Sequence, residues 1–125
     1  MEIKEYKNEV QWLKNELKKH KDAVRSFKID TKIVEELLKH EKSNKKLLRL
    51  KTMLVSRNNF NNEIIEQLTF ALNYLKTEKT MDDMYNNYLL TYRNKLKSFK
   101  ELTESEEFIS LASKYFEDVN CGLNV

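Results

Sequence analysis

The chain of 125 residues reads as an all-α protein, on three observations. It has no proline and a single glycine, Gly122, so the turn chemistry that hairpins and sandwiches require is missing. Charged residues make up 34% of it, and Lys, Glu and Leu, all good helix formers, are prominent. From Ile3 to Phe27 the seam positions recur at an unbroken spacing of three and four. The expected architecture is an N-terminal coiled-coil helix over about residues 2–28, followed by a small bundle of about four helices. Residues 1–29 would then be an oligomerisation segment and 30–125 the bundle, together one structural unit of ordinary domain size.

In the first helix Ile3, Val10, Leu17 and Val24 take the a positions of a heptad, and Tyr6, Leu13, His20 and Phe27 the d positions. Two charge columns flank that seam: Glu2, Glu9 and Glu16 at g, and Lys7, Lys14, Lys21 and Lys28 at e. In a parallel homodimer each g residue faces the e residue five places on in its partner. Glu9 would meet Lys14 and Glu16 would meet Lys21 across a seam of Ile3, Tyr6, Val10, Leu13, Leu17, His20 and Val24. The rival arrangement is a hairpin that folds the next helix back, pairing Leu13 with Leu47, Tyr6 with Leu54 and His20 with His40. It leaves the charge columns without a purpose, so the parallel dimer is the expectation.

The elements after the first helix follow from caps and gaps. Asp30, within KIDTK at 28–32, is a good N-cap, which predicts a turn there. A second helix would begin with Ile33, Val34, Leu37 and Leu38 and resume at Leu47, Leu50, Met53 and Leu54. The polar run 39–46 between them is either a loop or an exposed helical turn. RNNFNNE at 57–63 carries four Asn, which favour local side-chain to backbone bonds, and predicts the clearest break in the chain. A third helix spans about 62–77 on a seam of Ile64, Leu68, Ala71 and Leu75. Thr80 with Asp83 resembles a capping box opening a fourth helix, with Tyr85, Tyr88, Tyr92, Leu96 and Phe99 on one face. Thr103 with Glu106 repeats the device for a last helix, whose Phe108, Ala112, Tyr115 and Val119 should dock on the bundle and whose C-cap is Gly122.

Composition excludes more functions than it names. Cys121 is the sole cysteine, the N-terminus is charged where a leader would be apolar, and no stretch approaches the roughly 20 apolar residues of a membrane span. A cytoplasmic protein away from membranes is expected. The 19 Lys and 13 Asn point to an AT-rich coding sequence, as in low-GC bacteria and their phages and plasmids. Glu16 with His20 and Glu36 with His40 place a Glu four residues before a His. No third ligand column accompanies them, so no metal and no cofactor are expected. No nucleophile with a base, phosphate loop or carboxylate cleft is evident, and an enzyme or small-molecule site is not expected.

Charge is unevenly spread: residues 14–57 hold 14 basic and 6 acidic side chains, and residues 101–125 hold 1 basic and 6 acidic. Lys42, Lys45, Lys46, Arg49 and Arg57 gather on one helical side, and Arg93 and Lys97 follow the Tyr85, Tyr88 and Tyr92 column, as in phosphate-tracking grooves. Trp12 lies outside the seam, where a partner protein could use it. The leading reading is a non-enzymatic, homodimeric interaction protein that binds and regulates another macromolecule, for example as a phage- or plasmid-borne inhibitor or adaptor. The alternative is a dimeric nucleic-acid-binding regulator that uses the basic face.

Overall fold

The computed structural model describes residues 2–116, and among them it contains four helices and no strand. The first, α1, runs from Ile3 to His40 without interruption, a length of about 57 Å. The turn expected at Asp30 is absent. Phe27 and Val34, on either side of it, are both fully buried, and Thr31 returns its hydroxyl to the Phe27 carbonyl at 2.7 Å. Tertiary packing therefore carries the helix through a stretch of modest propensity. Asp30 caps nothing, and its half-buried carboxyl is pushed above the ordinary value by burial.

The polar run at 39–46 contains the connection. Leu37 accepts the Glu41 N–H, and Asn44 caps the next helix by accepting from Lys46 N at 3.0 Å and Leu47 N at 3.2 Å. That helix, α2, spans Lys45–Glu78 and continues straight through the Asn-rich stretch. The break expected at 57–63 is overridden because the buried seam does not stop there. Leu47, Leu50, Leu54, Arg57, Asn61, Ile64, Leu68, Ala71 and Leu75 are all buried, at spacings of three and four. Two polar residues hold the heptad across the gap. Lys79, with a positive φ of 55°, ends α2 in the left-handed conformation, and its N–H reaches the Leu75 carbonyl at 2.7 Å.

Helix α3 covers Asp83–Thr103 and α4 covers Glu106–Tyr115. The caps lie two residues beyond those expected. Asp82, not Thr80, accepts from Met84 N and Tyr85 N, and Ser105, not Thr103, accepts from Phe108 N at 3.2 Å. Phe108 and Ala112 are buried, so α4 packs on the bundle as expected; Val119, Cys121 and Gly122 lie outside the described residues.

Helices α1 and α2 form an antiparallel hairpin, and α3 runs antiparallel to α2 and hence parallel to α1. The hairpin closes later than the rival sequence arrangement supposed: His20 meets Asn61 rather than His40, and Glu35 meets Lys51. Between α1 and α3 the seven-residue series Tyr85, Tyr92 and Phe99 faces α1. Tyr85 donates its hydroxyl to Glu9, Tyr92 donates to Glu16 at 3.0 Å, and Phe99 meets Phe27 edge to face at 6.1 Å. Helix α4 lies along the first half of α2, tied there by Arg49 and Glu107.

Candidate functional site

The first turns of α2 and the outer face of α4 enclose a basic cleft of about 340 Å³, lined by Lys45, Lys46, Arg49, Glu107, Ser110, Leu111 and Lys114. Asn44 fixes where α2 starts, and Ser105 fixes where α4 starts, so two local caps place the first turns of both helices that line the cleft. Arg49 grips Glu107 with two nitrogens, Nε at 2.8 Å and a terminal nitrogen at 3.3 Å. That guanidinium holds the Glu107 carboxyl below the ordinary carboxylate range. The Lys114 ammonium lies beside that of Lys46 and pushes the Lys46 amine below the usual lysine value. The first turn of α2 contains no acid, so the positive end of the helix dipole adds to the cations. The arrangement can bind an anion.

The structure brings together Lys45, Lys46 and Arg49 from the basic stripe, and leaves Lys42 exposed in the adjoining turn. It removes Arg57 from that set. Arg57 is 3% exposed, donates to the carbonyls of Met53 at 3.0 Å and Leu102 at 2.6 Å and to Ser105 Oγ at 3.4 Å, and sits 4.3 Å over the Phe108 ring. Burial lowers its pKa. This arginine ties α2 to the α3–α4 turn and has no surface to offer a phosphate. Arg93 and Lys97 are exposed on α3 and line no part of the cleft. The tyrosines beside them are structural: Tyr85 and Tyr92 are buried, and Tyr88 packs on Phe70 and Tyr74, so no stacking column for bases exists there. The acidic surroundings of Lys114 hide it at the level of sequence. Its signal there is the spacing Glu107, Ser110, Leu111, Lys114, one face of α4 opposite Phe108 and Ala112.

The heptad seam of α1 is filled from within the chain. Leu13, Leu17 and His20 are buried in the bundle core, Tyr6 and Val10 pack half-buried against it, Val24 is half-buried, and Ile3 is exposed. An interchain role for Leu13, Leu17 and His20 would require opening the bundle, because one face cannot bury itself twice. Glu9 and Glu16 turn to tyrosines of α3, whereas Lys14 and Lys21 project to solvent. Burial, and after it the carboxylates they donate to, push the Tyr85 and Tyr92 phenols well above the ordinary value. Trp12 meets Tyr92 edge to face at 6.1 Å and keeps about a third of its surface, 37%, exposed.

His20 sits at the centre of the bundle, its Nδ1 3.1 Å from Asn61 Oδ1 and its ring against Tyr92 and Phe99. Nε2 has no partner among the described residues. Burial is the chief cause that lowers its pKa below 6.5, with Lys19 and Lys100 adding to it and Asn61 and Glu16 opposing. The unfolded chain therefore binds a proton that the folded one refuses, and stability falls as pH drops below about 6.5. The melting temperature is expected to decline between pH 7.5 and 5.5, and His20→Asn, which keeps a donor toward Asn61, is expected to flatten that decline. An equal decline in the variant would place the titrating group elsewhere.

Among the described residues no group of three metal-ligating side chains forms, and no helix is long and apolar enough to cross a membrane. No family model matches the chain, and no curated protein or solved structure is significantly similar to it.

Proposed function

We propose that the protein is a non-enzymatic helical interaction module that binds and regulates another macromolecule, with the cleft between α2 and α4 receiving an acidic segment of a partner protein. The observation that carries this reading is the placement of Lys46 beside Lys114, with Lys45 and Arg49 adjoining and a single carboxylate, Glu107, already engaged. Like charges held together on a folded surface are relieved by an anionic partner, and their mutual repulsion in the free protein becomes affinity in the complex. The Leu111 side chain in the cleft gives such a partner an apolar contact beside the charges.

The test is capture from the source cell with wild type and with Lys46→Glu combined with Lys114→Glu, each with and without nuclease. Both side chains are exposed, so the variant should keep the circular dichroism spectrum of the wild type. A partner retained after nuclease and lost with the variant is the expected result. Retention that nuclease abolishes would favour nucleic acid, and a variant that captures as well as wild type would remove the cleft from the function.

A further inference from the structure

The outward side of α1 carries a second basic feature, separate from the cleft. The heptad puts Lys7, Lys14, Lys21 and Lys28 in its e column. The neighbouring b column holds Lys4, Lys18, Arg25, Lys32 and Lys39. From residue 4 to residue 39 the two columns alternate by three and four, and only Gln11 and Glu35 interrupt the cations. All these side chains are exposed. Because α1 does not break at Asp30, they form one continuous ridge about 52 Å long, with a charge about every 5 Å. Glu35, the one acid on it, is met by Lys51 of α2 at 3.6 Å. Arg25 pairs with Asp22 at 3.5 Å and Lys39 with Glu36 at 2.8 Å. Among the described residues the other cations of the ridge have no carboxylate within ion-pair distance.

The make-up of the ridge selects its occupant. Its two columns contain no apolar side chain to form the desolvated centre of a protein interface, and Ile29 and Ile33, exposed beside Lys32, lie off them toward one end. A helix lying on a membrane needs its apolar face free for insertion, and that of α1 is buried against α2 and α3. Nor does the ridge contain an aromatic ring on which an unpaired base could stack. What remains is regularly repeated positive charge with nothing to read a base edge. Lysine ammoniums, as flexible point charges, suit irregularly placed phosphates. A duplex presents one negative charge per about 1.7 Å of its axis, so a rod of cations laid along it meets phosphates throughout its length. We propose that the b and e columns of α1 form a binding surface for the phosphate backbone of duplex nucleic acid, independent of base sequence.

The full chain, titrated against a fluorescent DNA duplex of random sequence between about 50 and 200 mM salt, tests this. Affinity should fall by about a thousandfold or more over that range. The variant Lys7→Gln, Lys14→Gln, Lys21→Gln and Lys28→Gln changes only exposed positions to another good helix former and should fold as wild type. Its plot of log affinity against log salt should be flatter by about 3 to 4, near 0.9 for each phosphate that is no longer neutralised. Lys46→Gln with Lys114→Gln should leave the slope unchanged, which separates the ridge from the cleft. Phosphatidylserine vesicles and polyglutamate, run alongside, should bind more weakly than the duplex. Dissociation constants above about 1 µM at the lowest salt, an unaltered slope in the fourfold variant, or tighter binding to vesicles or polyglutamate would each overturn the proposal.

Discussion

Changing Glu9 and Glu16 together to lysine should lower the melting temperature by roughly 10 to 20 °C, and changing Lys14 and Lys21 together to glutamate should barely move it. The asymmetry follows from where the two columns point. Glu9 and Glu16 accept from the hydroxyls of Tyr85 and Tyr92, both buried, and a lysine offers those hydroxyls no acceptor. Each orphaned phenol costs about 1 to 3 kcal/mol, so the pair costs about 2 to 6 kcal/mol. Lys14 and Lys21 are exposed, and substitutions there fall within the small range usual for surfaces. A parallel dimer joined by g and e pairs makes the opposite demand: both swaps would weaken self-association equally, and the two variants would form a heterodimer when mixed. Sedimentation of the wild type at micromolar concentrations should show a monomer. Heterodimer formation would restore the interchain seam, and a double-mutant cycle without coupling between Glu16 and Tyr92 would remove the hydrogen bond as the cause.

Arg57→Met should cost about 2 to 4 kcal/mol, a fall of roughly 8 to 15 °C in the melting temperature. Among the described residues the buried guanidinium has no carboxylate partner within ion-pair distance, and carbonyl oxygens solvate it instead. One of these, on Leu102, belongs to the last turn of α3 and otherwise accepts only from the turn that follows, the Ser105 N–H at 3.4 Å among them, so removing Arg57 takes away its shortest bond, at 2.6 Å. The substitution also takes the cation off the Phe108 ring, and with it part of the attachment of α4. A buried cation also carries a desolvation cost that a well-packed methionine would relieve. The lost bonds to the Met53 and Leu102 carbonyls and the vacated ring face are expected to outweigh that relief, and a melting temperature raised by Arg57→Met would show the reverse. Phe108→Leu should have a smaller effect, since it leaves the carbonyl bond in place.

Local rules make part of the molecule legible. The absence of proline and the helix-friendly composition point to the class, and the polar run before Lys45 marks the α1–α2 turn. The starts of α3 and α4 can be read to within a few residues, because capping is a contact between near neighbours in sequence. The three-and-four spacing of α1 shows that one face of this helix must be covered. It does not show by what, since a seam of Leu13, Leu17 and His20 fits a second copy of itself as well as it fits α2 and α3.

The remainder is settled by residues far apart in the chain. KIDTK and RNNFNNE read as breaks because propensities and Asn preferences favour breaks there, and both are carried through by burial. Phe27 and Val34 anchor the first, and Arg57 and Asn61 keep the seam of α2 in phase across the second. The deciding contacts of Asn61 and Arg57 come from His20, 41 residues away, and from Leu102, 45 residues away. No window on the local sequence contains them. The acidic column of α1 has the same history: a glutamate every seventh residue is compatible with a lysine of another chain, and what settles its partner is a tyrosine every seventh residue in α3, 76 positions on. The order of the amino acids thus required that these faces be covered, and set the period at which covering side chains had to arrive. Which of the chain's own side chains would cover them depended on folding, which brought distant residues to hydrogen-bonding distance in a water-poor core and left the lysine column to solvent.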